Sequence, residues 1–217
     1  MKKVIVFGAT GSLGCYVVDA LESLDNVSIT LFVRNKSKLT PNHAGHRVIE
    51  GDVADYESVV KAVRGHDIVY FGLSGDLDSL SANVVNAMKE TGVKRIIAIS
   101  SMGIYGASWK ATFKGGINSP GFFNSLMLTL MKPLFPQYRK LAERVERSGL
   151  EYTILRPGRF TYEDEVNYKV TYKGQPESGR DISRKSIAAF VARVARVVNE
   201  PDTFVNQNVG LSKEVNR

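Results

Sequence analysis

Three glycines spaced three apart stand near the start of the chain, in the run Gly8-Ala9-Thr10-Gly11-Ser12-Leu13-Gly14. A short β-branched run over residues 3–7 precedes them. Residues 12–24 follow with Leu13, Val17, Ala20, Leu21 and Leu24 at helical spacing. This strand–turn–helix setting is what makes a glycine triplet informative. The first glycine permits a tight turn, the second lets backbone approach a pyrophosphate, and the third lets helix and strand pack closely. A helix start offers unpaired N–H groups and a positive dipole end to an anion, and Thr10 and Ser12 add hydroxyl donors. Gly8, Thr10, Gly11, Ser12, Leu13 and Gly14 are therefore the expected pyrophosphate loop of a dinucleotide site. A glycine turn without a ligand is the plainer alternative.

The second strand, read over residues 27–33, decides which dinucleotide. An Asp or Glu at its end selects the ribose 2′-hydroxyl of NAD. Here the strand runs into Arg34-Asn35-Lys36-Ser37-Lys38, with no acid. A guanidinium fork suits a 2′-phosphate dianion. Arg34 and Lys36 thus predict NADP(H), with NAD(H) the weaker ligand; a merely solvated Arg34 is the alternative. Asp52-Val53, after a third strand, is placed to meet the adenine. Gly72-Leu73-Ser74, after a fourth, is placed beside the adenosine ribose and pyrophosphate.

The elements needed to hold these groups alternate along the chain. Strands are expected at 3–7, 27–33, 47–50, 67–71, 94–100 and 152–155, with a short final one near 204–209. Helices are expected at 12–24, 56–64, 80–90 (stopped by Gly92), 138–148 and 183–198, the last with Ser183 as its N-cap. This predicts a single α/β domain over residues 1–217. It would be a Rossmann-type doubly wound parallel sheet in three αβα layers, with a small substrate-side lobe. Residues 102–137 and 159–180 read as substrate-side insertions. The first holds five glycines, three prolines and several aromatics, including Phe122 and Phe123. Its apolar 113–135 stretch reads as an acceptor pocket, or as plain core packing or a dimer face.

Composition narrows the setting. The chain has 217 residues, 43% apolar, and a formal charge of +7. Between Thr91 and Ala142 lie seven basic residues (Lys94, Arg95, Lys110, Lys114, Lys132, Arg139 and Lys140) and no acid. Such a field attracts cofactor phosphates or an anionic substrate, although solvated surface charge explains most lysines equally well. No recognition motif points to nucleic acid, and no apolar run approaches the roughly 20 residues of a membrane span. One cysteine, Cys15, and no export signal predict a cytoplasmic chain without disulfides, a monomer or homodimer. Cys15 sits at a helix start, where a thiolate is favoured, or packs under the loop as a small apolar group. His43, His46 and His66 read as surface residues, and no set of residues has metal-ligand spacing.

The motifs VIVFGATGSLG, FVRNKSKL, GDVAD, ISSMGIYG, KLAERVERSGLEYTILRPG and DISRKSIAAFVARV span nearly the whole chain. Together they resemble the atypical short-chain dehydrogenase/reductase family. They are most similar to its small NAD(P)-binding members of NmrA-like, NADH-flavin reductase-like and biliverdin-IXβ-reductase-like type. In larger relatives a serine, a tyrosine and a lysine four residues beyond it deliver a proton to a carbonyl. The resemblance places Ser100 or Ser101 at the serine and Lys140 at the lysine, where it would also hold the nicotinamide ribose. Pro136 stands at the tyrosine position. Tyr138 is two residues before Lys140 and so on another side of the helix. Tyr105 resembles a substrate-side tyrosine, so Ser101, Tyr105 and Lys140 are the catalytic candidates; Ser101 and Tyr105 read equally as satisfied structural groups. Pro157-Gly158 is expected to pass the nicotinamide. Arg156 either assists there or is a structural ion-pair partner. With the triad incomplete, the expected reaction is hydride transfer from NADPH to a small planar acceptor such as a flavin or quinone. A redox sensor that binds NADP(H) without turnover is the alternative, and a nucleotide-sugar isomerase or lyase ranks below both.

Overall fold

The structure is a computed structural model that describes residues 1–40, 43, 45–105, 135–176, 179–196 and 204–214. Its strands are β1 (Lys2–Phe7), β2 (Val27–Val33), β3 (Arg47–Glu50), β4 (Ile68–Phe71), β5 (Arg95–Ile99), β6 (Glu151–Pro157), β7 (Arg159–Thr161), β8 (Lys169–Tyr172), β9 (Asp181–Ser183) and β10 (Gln207–Ser212). Its α-helices are α1 (Gly14–Glu22), α2 (Tyr56–Val63), α3 (Leu77–Thr91), α4 (Phe135–Glu146) and α5 (Arg184–Arg196). Eight strands form one sheet in the order β3-β2-β1-β4-β5-β6-β10-β8, and β7 and β9 pair separately. The order reverses between β1 and β4, and ligands of such sheets bind at that reversal, beyond the carboxyl ends of the strands.

Alternation along β1 shows how both faces are buried. Val4 and Val6 face one layer, with Val17 and Leu21 of α1 and Ile187, Phe190 and Val191 of α5. Ile5 and Phe7 face the other, with Val59 of α2, Val84 and Met88 of α3, and Leu141 and Val145 of α4. A strand covered on both sides loses its polar face, which is why β1 reads as a continuous apolar run. Each fully buried Val, Leu or Phe contributes about 1.5–3 kcal/mol, so these two layers set the sheet against its helices.

Local chemistry sets the helix ends. Ser183 caps α5 as expected, its Oγ accepting from the Ser186 amide at 3.0 Å. Gly92 ends α3 in the left-handed region, with φ 75°. That helix starts at Leu77 rather than Leu80, because Asp76 caps it through the Ser79 amide (3.3 Å) and hydroxyl (2.7 Å).

Two expectations change. Residues 169–172 lie within the expected 159–180 insertion, yet β8 joins the main sheet as its antiparallel edge on β10. The histidines are not all surface groups: His43 and His66 are buried. His43 Nδ1 sits 3.0 Å from the Thr40 amide. His66 Nδ1 donates to the Val63 carbonyl (3.2 Å), and its Nε2 faces the Thr30 hydroxyl at 2.9 Å. These partners remove the need for water. Desolvation lowers the His66 pKa. The unfolded chain, near the ordinary 6.5, therefore takes up a proton before the folded one does. Stability is full above that pH and falls as the pH drops below it. Thermal melts from pH 7.5 to 5.5 should show this loss, and His66→Gln should flatten the slope. An unchanged slope in that variant would remove His66 as its source.

Candidate dinucleotide-binding site

The glycine loop joins β1 to α1 under tight steric limits. Gly8 has φ 98°, and a Cβ there would overlap the Gly72 carbonyl. A Cβ on Gly14 would overlap the carbonyl of Gly8 itself, so helix and turn meet at a distance only glycine allows. The Gly11 amide closes the turn on the Gly8 carbonyl at 3.0 Å. Thr10, Gly11 and Ser12 form its exposed tip, and Leu13 anchors it in the core. Helix α1 has no capping side chain and no acid in its first turn. The positive end of its dipole is left for an outside anion, and these residues fit the pyrophosphate of a dinucleotide. Cys15 lies beside the loop with its thiol 3.5 Å from the Ala9 carbonyl. Burial, and then Asp19, push its pKa up, so it packs as a thiol rather than standing as a thiolate.

At the end of β2, Arg34 is exposed and has no acidic partner among the described residues. Lys36 reaches the neighbouring strand. Its amide donates to Glu50 Oε1 at 3.3 Å and its ammonium lies 3.9 Å from Oε2. Asn35 fixes the intervening turn by accepting from the Ser37 amide at 2.8 Å. Asp52 turns its carboxylate onto the Ala54 amide at 3.0 Å. Val53 buries its side chain in the core, so its main chain is what it can present to an adenine. Sequence reading missed Asn83 of α3, which ties this segment down through the carbonyls of Val53 (2.9 Å) and Ala54 (3.2 Å). Gly72 and Leu73 are half-buried and Ser74 is exposed beyond β4. The buried Tyr70 ring lies against Gly72, and burial raises its hydroxyl pKa well above the ordinary range.

The proton-transfer candidates are not gathered around one point. Ser100 is buried and donates to the Tyr138 carbonyl at 3.1 Å. Ser101 donates to the Met102 carbonyl at 3.2 Å. Lys140 pairs with Asp78 at 2.8 Å, and Arg144 pairs with the other oxygen of that carboxylate. Among the described residues no hydrogen bond joins Lys140 to Ser100, Ser101 or Tyr105. The Pro157 carbonyl accepts from the Met102 amide, and the Gly158 amide donates to Leu211, each at 3.0 Å.

Tyr105 belongs to a polar network that the sequence did not reveal. Its hydroxyl accepts from Asn208 Nδ2 at 2.8 Å, and the same amide donates to Glu146 Oε1 at 2.8 Å. Asn208 Oδ1 accepts from Arg156 Nε at 2.8 Å. Lys173 closes on Glu146 at 2.8 Å and lies 4.9 Å from the Tyr105 ring centroid. Asn208 is opposite Ile154 in the β10–β6 register, two residues before Arg156. The hydroxyl is therefore held at the level where β10 pairs with Ile154 of β6. Burial, then the Glu146 charge, raises its pKa. Tyr105 and Arg156 thus each hold a bond to Asn208 of β10.

The expected basic half also divides. Lys94 and Arg95 lie at the start of β5, opposite the glycine loop, and Arg139 pairs with Glu143 at 2.8 Å. Lys110, Lys114, Lys132 and the 113–134 aromatics lie outside the described residues. No helix among the described residues is long and apolar enough to cross a membrane.

Sheet order and glycine cradle together define a Rossmann-type dinucleotide-binding protein. The chain belongs to the NAD(P)H-binding family, whose model matches residues 8–197. A Rossmann-fold NAD(P)-binding family protein from Shigella flexneri is 33% identical with a TM-score of 0.76, the match covering 98% of this chain and 94% of that one. A short-chain dehydrogenase/reductase from Veillonella parvula, in complex with NADP, shares the fold at a TM-score of 0.81 and 23% identity, over 98% and 94% of the two chains. The isoflavone reductase homologue A622 of Nicotiana glauca is 31% identical over 105 residues, which are 44% of this chain and 34% of that protein. The match thus spans about a third of the length of that curated relative.

Proposed function

We propose that the protein is an NADPH-dependent oxidoreductase that passes hydride to a small planar acceptor of the flavin or quinone kind. When bound, the cofactor supplies the hydride. The chain's part is to hold the pyrophosphate at the glycine loop, seat the 2′-phosphate at Arg34 and keep the sheet edge in place. The observation that carries the reading is the engagement of the candidate proton donors. Ser100 and Ser101 donate their hydroxyl protons to the carbonyls of Tyr138 and Met102, the Tyr105 oxygen accepts from Asn208, and Asp78 holds the Lys140 ammonium. Reduction of a ketone needs a donor at the developing alkoxide. A planar conjugated acceptor delocalises the charge of the incoming electron pair and takes its proton from water. The NADP-bound Veillonella relative supports the choice of cofactor.

Arg34→Ala should weaken NADPH binding about 10- to 50-fold, the worth of a charge-assisted phosphate contact, and leave NADH within about twofold. Titration of cofactor fluorescence measures both. Stopped-flow mixing of NADPH with FMN, riboflavin and simple quinones tests turnover. Acceptor-dependent oxidation above background supports the enzyme. Tight, NADP-selective binding with no oxidation would establish the sensor instead.

A further inference from the structure

The strand that ends in Arg34 carries no acid, but its neighbour does. In the β2–β3 pairing Val33 lies opposite Glu50, and the Gly51 amide bonds the Val33 carbonyl at 3.0 Å. This register sets Glu50 beside the residue that precedes Arg34. Both of its oxygens turn toward Lys36, two residues past Arg34, one at 3.3 Å from the amide and the other at 3.9 Å from the ammonium. Asp52, the next acid along, is committed to the Ala54 amide and does not compete for this role. The Glu50 and Lys36 side chains are 48% and 55% exposed, so the pair opens easily and is weak.

A carboxylate therefore stands on the neighbouring strand, opposite the residue that precedes Arg34. Two consequences follow from its charge. A 2′-phosphate drawn in by Arg34 meets Glu50 with like sign, and Lys36 offsets that repulsion only while paired with it. A 2′-hydroxyl, by contrast, has a proton to donate to this carboxylate, which is what an acid at the end of β2 does in NAD-selective sites. We propose that Glu50 is a specificity-determining residue: it opposes the 2′-phosphate, it supports the unphosphorylated ribose, and Lys36 acts through Glu50 rather than by gripping the phosphate. The inference rests on the assignment of Arg34 to the 2′-phosphate.

A thermodynamic cycle tests it. Dissociation constants for NADPH and NADH are measured by cofactor fluorescence at one low ionic strength, for the wild type, Glu50→Gln, Lys36→Ala, the double variant and Arg34→Ala. Thermal melts check that each is folded. Glu50→Gln should raise the preference for NADPH about 3- to 10-fold, the scale of one exposed charge acting on a nearby dianion. Lys36→Ala alone should lower it by a similar factor. In the Glu50→Gln background the same lysine change should have little effect, within about twofold. If Glu50→Gln leaves the preference unchanged, or Lys36→Ala costs as much in its presence, Glu50 is not the selector and the inference is overturned. The Arg34→Ala arm separates the two levels. A preference lost there with an inert Glu50 overturns only the inference, whereas a preference unmoved by Arg34→Ala overturns the cofactor assignment as well.

Discussion

Gly8→Ala is expected to abolish dinucleotide binding and to destabilise the fold by about 2–4 kcal/mol, the sum of a strained backbone and an overpacked contact. Two separate physical costs meet at this position. Its φ of 98° is one that residues with a side chain rarely adopt, and its Cβ would overlap the Gly72 carbonyl. Gly65 separates the two, having φ 79° with no heavy atom within 4 Å of a built Cβ. Gly65→Ala should thus pay the backbone cost alone, about 1 kcal/mol, and bind cofactor normally. Urea denaturation of both variants with an NADPH titration measures the difference. The overlap pushes the first turn away from β4, and the phosphate cradle goes with it. Binding of NADPH by Gly8→Ala at wild-type affinity would show that the pyrophosphate does not sit on this loop.

The second large effect is expected at Asn208. Asn208→Leu keeps the branched shape but deprives the buried Arg156 Nε of its acceptor and the half-buried Tyr105 of a donor, while Glu146 keeps Lys173. Losing the acceptor of one buried guanidinium N–H costs about 1–3 kcal/mol, so a loss of about 2–3 kcal/mol is expected. Tyr105→Phe removes one neutral hydrogen bond and should cost about 1 kcal/mol. A shift in urea midpoint with unchanged slope is the expected signature. A loss under about 1 kcal/mol in Asn208→Leu would mean that water satisfies these groups. The same pair of variants examines catalysis. Tyr105→Phe should retain NADPH oxidation, because a planar acceptor takes its proton from water; abolished turnover in a folded, cofactor-binding Tyr105→Phe would make that hydroxyl the proton donor.

The resemblance placed Lys140 at the nicotinamide ribose, and the structure pairs it with Asp78, 62 residues earlier. The reason is geometric. Helix α4 packs beside α3, and both Lys140 and Arg144, one turn apart on α4, reach the carboxylate at the first turn of α3. Their charges hold the Asp78 pKa low, and that of Lys140 is raised in return. A motif gives the residue type at a position, but the side chain answers to the nearest opposite charge.

By itself the sequence determined the Rossmann sheet, the glycine cradle, the caps at Ser183 and Gly92 and the basic character after β2. Each of these is written within one or two turns of chain, in hydrophobic period, a cap or a glycine where no Cβ fits. Tertiary structure alone decided the partners of charged and polar groups. Glu50 meets Lys36 through the pairing of β2 with β3, Asn208 gathers Glu146 from α4, Arg156 from β6 and Tyr105 from the turn after β5, and His66 is buried against Thr30. The edge strand β8 belongs with these, since its four residues become a strand only on reaching β10. Polar side chains carry no periodic signal, and their partners lie across pairings that bring distant residues together, so only the folded chain assigns them.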